Sequence, residues 1–164
     1  MSEPHGKIHQ FMCEDHARLD TLLAQARAGE AIALPPYELF RSGLLKHIGL
    51  EEKILLPAAR EARGGEPLPI AKQLRTDHSA LAALMVPTPT HDILALLSEL
   101  LARHNPLEET DGGMYDQVDA LTASGADALL ARLRAAPEVP VAPHVDNERV
   151  QRHVAQLFES TRRR

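Results

Sequence analysis

His16, His47, Glu51, His78, His104 and Glu108 are the residues whose types and spacing could do chemistry together. Imidazole and carboxylate are lone-pair donors for transition ions, and four of one with two of the other suit a pair of metals. Asp15-His16 is followed by His47-x-x-x-Glu51-Glu52, and Asp77-His78 by His104-x-x-x-Glu108-Glu109, the histidines of each half standing 31 and 26 residues apart. This is an internal repeat in which each half offers one histidine, then a His/Glu pair one helical turn apart. Chance gives about one His-x-x-x-Glu pair in a chain with nine histidines. Three occur, and the third, His144 to Glu148, follows Pro143 with no apolar stripe leading into it, so it reads as coincidence. Each ion could take two histidines and a carboxylate, with Glu51 and Glu108 free to bridge and coordination positions left open. Donors without thiolate suit iron, manganese or zinc; open positions and two ions favour iron.

The elements that must position these residues read as helices. Ile8, Met12, Leu19, Leu23 and Ala26 recur at helical steps between Lys7 and Ala28, with Gly29 as the stop. Pro35-Pro36 opens a second stretch carrying Phe40, Leu44, Ile54 and Ala58, which Pro57 should bend and Gly64-Gly65 closes. A third runs from about Pro69 through Ile70, Leu74, Leu81 and Met85 to Pro87-Thr88-Pro89. A fourth starts at Thr90 to Asp92 and carries Ile93, Leu97 and Leu101 toward Leu107, with Pro106 as a kink and Gly112-Gly113 as an interruption. The six donor residues all fall on these apolar stripes, so polar groups point into the core. Buried singly, each would cost several kcal/mol; a shared metal centre removes that difficulty.

No stretch alternates with period two, so the fold expected is all-α: an up-and-down antiparallel four-helix bundle over 1–122. A C-terminal extension, 123–164, should add a short helix that starts at Ser124-Gly125-Ala126-Asp127 and runs through Arg134, an extended stretch enforced by Pro137, Pro140 and Pro143, and a last helix capped by Asp146 or Asn147. It is expected to pack on the bundle or trail from it, and carries no readable chemistry.

Composition excludes several classes. The 164 residues hold 18 basic and 23 acidic side chains, a formal charge of −5, with three Phe, two Tyr and no Trp. Such a chain lacks the positive stripe and stacking platforms that nucleic acids need. A single cysteine, Cys13, excludes an internal disulfide and cysteine-only metal sites, which fits a reducing compartment. No basic-then-apolar leader and no apolar run of about 18 residues is present. The expectation is a cytoplasmic protein without nucleic-acid or membrane partners, with homodimerisation through the Pro-rich tail left open.

The sequence resembles the hemerythrin-like, HHE cation-binding family over roughly Ile8 to Leu121. The resemblance is carried by Asp15-His16, His47-Ile48-Gly49-Leu50-Glu51-Glu52 with Leu55-Leu56-Pro57, Asp77-His78, and His104-Asn105-Pro106-Leu107-Glu108-Glu109. It implies a four-helix bundle with a non-haem, carboxylate-bridged di-iron centre, His16 and His47 on one iron, His78 and His104 on the other, Glu51 and Glu108 bridging. It further implies a protein that binds a small diatomic or peroxo ligand (dioxygen, nitric oxide or peroxide) in sensing or stress response. Two departures stand out. Leu74 occupies the place of an extra histidine found in dioxygen carriers, so the second iron would be less saturated, and Asp111-Gly112-Gly113 interrupts the helix after the second Glu pair.

The leading reading is thus a binding or sensing module rather than an enzyme. Its rivals are a di-iron oxidase or peroxidase-like enzyme, which the room left by Leu74 favours, and an iron-handling or structural metal protein. Around the core set, Asp15, Glu52, Asp77 and Glu109 point about 100° away from the ligand faces and read as solvated. Cys13 reads as a core filler rather than a redox thiol near the metal, His9 as an exposed helix-end histidine rather than one lining the entrance, and Tyr115 as a helix-packing residue rather than a hydrogen-bond donor to a metal-bound species. His5, His91, His144 and His153 have no counterpart in the repeat.

Overall fold

The computed structural model describes residues 4–164, and among these every regular element is helical, with no strand. Helices α1 (Lys7–Arg27), α2 (Leu34–Leu50), α3 (Leu56–Ala62), α4 (Ala71–Leu84) and α5 (His91–Glu109) follow the four apolar stripes, α2 and α3 sharing the second. Beyond them come α6 (Met114–Leu121), α7 (Ala126–Ala135) and α8 (Glu148–Arg162). None of the described helices is long and apolar enough to cross a membrane.

The caps explain several of the boundaries. The Thr90 hydroxyl accepts from the Ile93 N–H at 3.2 Å and Asn147 Oδ1 from Val150 at 3.0 Å, satisfying amides that the first turns of α5 and α8 leave free. At α1 the cap comes from another helix. Asp119 on α6 accepts from the Ile8 and His9 amides, both at 3.0 Å. The residue before α1 is Gly6, and a Cβ there would run into that carboxylate, so glycine leaves the room in which the Asp119 side chain lies against the start of α1.

Pro57 does not end the second helix. A π-turn, Glu51–Leu55, joins α2 to α3, with the Leu56 amide reaching back to the Glu51 carbonyl. The wider turn absorbs the missing proline N–H and the crowding of its ring against the preceding turn. Helical structure runs on through Pro57 from Leu34 to Ala62, and Glu51 stands at the start of the π-turn.

Two apolar clusters make up the core. One gathers Leu19, Leu23, Phe40, Leu44, Leu81 and Leu97; the other gathers Ile8, Met12, Leu55, Leu74, Met114 and Tyr115. Along α1 His16 lies between Met12 and Leu19, along α4 His78 lies between Leu74 and Leu81, and along α2 His47 lies between Leu44 and Leu50. A polar layer therefore separates the clusters.

The C-terminal extension packs on both clusters. Leu129 and Leu133 of α7 join the second and Val154 of α8 the first. Between these helices the chain is extended and tied down by the buried Arg41, whose Nε donates to the Met85 carbonyl at 2.8 Å and Nη1 to Ala142 at 2.7 Å. The Val145 amide donates to the Val86 carbonyl at 3.0 Å, and Asp146 accepts from the Thr88 amide and hydroxyl.

Candidate metal centre

All six sequence-selected residues meet in the polar layer. Glu51 and Glu108 are fully buried and the four histidines no more than 4 % exposed. Their donor atoms form two groups, each drawn together within 4.8 Å: His16, His47, Glu51 and Glu108 in one, His78, His104, Glu51 and Glu108 in the other. The two glutamates are common to both. Glu51 turns Oε1 to His47 Nε2 at 2.7 Å and Oε2 to His78 Nε2 at 2.9 Å. Glu108 Oε1 lies 3.3 Å from His104 Nε2 and 3.4 Å from His16 Nε2, and its Oε2 lies 3.8 Å from His78 Nε2.

Every imidazole presents Nε2 to this centre because its Nδ1 is held elsewhere. His47 Nδ1 donates to Asp15 at 2.8 Å, His104 Nδ1 to Asp77 at 2.9 Å, His78 Nδ1 to Glu52 at 3.1 Å, and His16 Nδ1 is bonded to Glu109. The four carboxylates expected to be solvated thus orient the four imidazoles. The 100° step that turns each one off its own helix's inward face aims it at the next helix. Asp15 on α1 serves α2, Glu52 in the π-turn serves α4, Asp77 on α4 serves α5, and Glu109 on α5 serves α1. A carboxylate on the far nitrogen fixes the ring and its tautomer and strengthens the near nitrogen as a ligand.

Tyr115 is the second correction. It is fully buried, and its hydroxyl donates to Glu51 Oε1 at 2.7 Å while lying 3.0 Å from His47 Nε2 and 3.2 Å from His16 Nε2. The interruption at Gly112-Gly113 brings it there. Gly112 has φ +77°, and a Cβ on Gly113 would lie 2.8 Å from the carbonyls of Glu108 and Thr110, so the chain can reverse this tightly only with glycine at both places. The signal in the sequence was a phenol placed just after a Gly-Gly turn that follows a donor residue.

The electrostatics follow from the crowding of acids. Six carboxylates face four imidazoles, so neutral rings would leave the layer strongly negative. Burial alone would lower His47, but the Glu51 charge and the bond to Asp15 outweigh it and hold the ring up to about 10. Burial likewise opposes protonation of His78, and Glu108 and Glu51 carry it up to about 10. His16 and His104 are raised in the same way, burial being outweighed chiefly by Glu108. Burial would push Glu108 up, yet His104, His16 and His78 hold it well below the usual carboxylate range. Tyr115 is pushed well above the ordinary phenol value by burial and by the charges of Glu51 and Glu108, so it keeps its proton. Protons on the rings thus supply the positive charge that the layer requires, and metal cations can supply it in their place.

Three buried polar atoms at the centre make no well-aligned hydrogen bond: Glu108 Oε2, and Glu51 Oε2 with His78 Nε2, which lie 2.9 Å apart without the alignment one requires. Such orphans are costly and call for an explanation. Once the rings give up their protons, these atoms become facing lone-pair donors that a cation between them would satisfy, so the residues present fit a metal.

Compared with protein families, curated proteins and solved structures, the chain matches none. The assignment of the centre therefore rests on the side chains themselves.

The remaining candidates divide cleanly. Leu74, one turn before His78, is fully buried in the second cluster. Cys13 is pushed up to about 12 by burial and by the nearby Glu109, Asp116 and Glu108 charges, so it is a neutral thiol packed against that cluster rather than a reactive thiolate. His144 bonds Glu38 at 2.7 Å rather than joining Glu148, and His91 bonds the Glu30 carbonyl at 2.6 Å. His9 is not exposed: its ring is buried against Tyr115, edge to face at 6.0 Å between centroids.

Proposed function

We propose that this chain is a hemerythrin-like protein whose four long helices form an up-and-down bundle around a non-haem di-iron centre. We further propose that it binds dioxygen, nitric oxide or peroxide there in sensing or stress response. The observation that carries the reading is the sharing of Glu51 and Glu108 between two buried donor groups, with every imidazole oriented by its own carboxylate. The order of apolar clusters along the helices favours the bundle: α1 and α4 run from the second cluster toward the first, α2 and α5 back again.

In this reading His16 and His47 hold one iron, His78 and His104 the other, and Glu51 and Glu108 bridge. A pair of irons so held supplies a redox couple and coordination positions open to a small ligand. The donor set lacks thiolate, which suits iron, manganese or zinc, and the open positions and paired ions favour iron among them. The chain's own contribution is to exclude water, to hold the rings still, and to keep a proton on the Tyr115 hydroxyl beside His16, His47 and Glu51. That buried proton also favours a second reading, a di-iron oxidase or peroxidase-like enzyme, since Tyr115 can donate to a peroxide held at the centre.

Loading the protein with ferrous iron in air, removing excess with a chelator, and measuring iron content and visible absorption tests the proposal. Two irons per chain with visible absorption support it, and His47→Ala or His104→Ala should lower occupancy strongly. Colourless protein without retained iron, or undiminished iron in both variants, contradicts it. Stoichiometric ligand uptake speaks for binding, and sustained peroxide consumption for turnover.

A further inference from the structure

A second cluster of metal-ligating side chains lies outside the buried centre, where the start of α1 meets α6. His5, just before α1, and His9 in its first turn both turn Nδ1 to the same oxygen of Asp116, at 3.0 and 2.7 Å, although more than 100 residues separate them from it in sequence. Their rings stack with centroids 3.7 Å apart and planes inclined by 19°. The three donor atoms lie within 4.8 Å of one another.

Several features make this more than an ion pair. Donors bound to one transition ion at about 2.0–2.2 Å stand roughly 3 Å apart when neighbouring positions are filled, close to the 3.0 and 2.7 Å that separate Asp116 Oδ1 from the two ring nitrogens. The carboxylate is held in place: Asp116 Oδ2 accepts from the Gly112 amide at 2.9 Å, leaving Oδ1 to the two rings. The far nitrogen of His5 lies 3.6 Å from Asp111 Oδ1, too long for a hydrogen bond, so a carboxylate stands nearby without holding that nitrogen. Access differs between the donors. The His5 side chain is 37 % exposed and Asp116 26 %, whereas His9 is closed off. An ion can therefore enter from solvent and keep water on its remaining positions.

We propose that His5, His9 and Asp116 form a separate site for a borderline divalent transition ion, of which zinc is the type, joining the start of α1 to α6. Two imidazoles and one carboxylate select such an ion over magnesium or calcium, which take oxygen. The ion acts as a clasp. Asp116 is adjacent to Tyr115, and Asp119 of the same helix already caps α1, so fastening this corner steadies the helix that carries the phenol into the buried centre. The site shares no ligand with that centre and stands or falls independently of it.

The test uses the full chain and Co2+ as an optical stand-in for zinc, with Zn2+ as competitor and excess Mg2+ present. Co2+ bound per chain is counted in wild type, in His5→Phe and in Asp116→Asn. His5→Phe keeps the ring stack and removes the nitrogen, and unchanged far-ultraviolet circular dichroism shows that each variant is folded. Each variant should bind one Co2+ fewer than wild type, or bind that equivalent at least tenfold more weakly, while the ions held by the buried centre stay. Displacement of the equivalent by Zn2+ but not Mg2+ completes the result. Equal Co2+ content and affinity in wild type and both variants overturns the clasp. Loss of one equivalent in a protein whose buried centre takes up no metal upholds the clasp and counts against the proposed function instead.

Discussion

Asp15 on α1 accepts the Nδ1 proton of His47 on α2 at 2.8 Å, and Asp77 on α4 accepts that of His104 on α5 at 2.9 Å. The residue immediately before the first histidine of each half thus orients the second histidine of that half. Replacing either aspartate with asparagine keeps the size of the side chain and removes its charge. Asp15→Asn and Asp77→Asn should each weaken metal binding by roughly 10–100-fold with the fold intact. Chelator competition measures this; wild-type affinity in both variants would show that these carboxylates merely lie near the rings.

Tyr115→Phe removes one hydroxyl from a site where it donates to Glu51. Iron content should stay at the wild-type level, since the six donors remain. Metal-free protein should lose about 1–3 kcal/mol of stability, because a buried carboxylate oxygen loses its donor. Nitric oxide held at the centre should dissociate about tenfold faster, the equivalent of one hydrogen bond of roughly 1.4 kcal/mol. Urea unfolding and stopped-flow absorbance read the two effects.

Proton and metal compete for the same nitrogens. His47 and His78 are raised from 6.5 to about 10 in the folded, metal-free chain, so their contribution to stability is complete below about pH 6.5 and is lost as pH rises toward about 10. Metal-free protein should therefore become easier to unfold over that interval. Metal affinity should move the other way, rising with pH as fewer protons need displacing, with protons released on loading at pH 7. Calorimetry in two buffers of different ionisation enthalpy counts the protons; no release at pH 7 would contradict the protonated state of the rings.

Gly113→Ala places a Cβ 2.8 Å from two backbone carbonyls, which cannot move aside as a side chain can. The turn between α5 and α6 must open, and the variant should lose about 1–3 kcal/mol and weaken the contact of Tyr115 with Glu51. Thermal unfolding measures the first and the tyrosine ultraviolet absorption of metal-free protein the second.

The helices and the six inward donors were legible because both obey the helical period: His16, His47, His78 and His104 sit on the same stripes as Leu19, Leu44, Leu81 and Leu101. What the period could not supply was the neighbour. Asp15, Glu52, Asp77 and Glu109 lie off their own helix's inward face, and only the placement of the adjacent helix turns that offset into a bond to an imidazole. The place of Tyr115 at the centre and the burial of His9 are not legible for a similar reason. Each depends on a tertiary approach, through the glycine turn before α6 and through the Asp119 cap on α1. Pro57 shows a local signal whose detail the sequence does not spell out: the helix accommodates the proline through a π-turn that begins at the glutamate both donor groups share.

The central claim is that the two donor groups make one dinuclear centre through Glu51 and Glu108. Magnetic susceptibility of the air-oxidised, iron-loaded protein, taken with its iron content, tests this most directly. Two ferric ions per chain, coupled to a diamagnetic ground state, are the predicted result. Iron retained as isolated high-spin ferric ions, in proportion to the iron content, would contradict it.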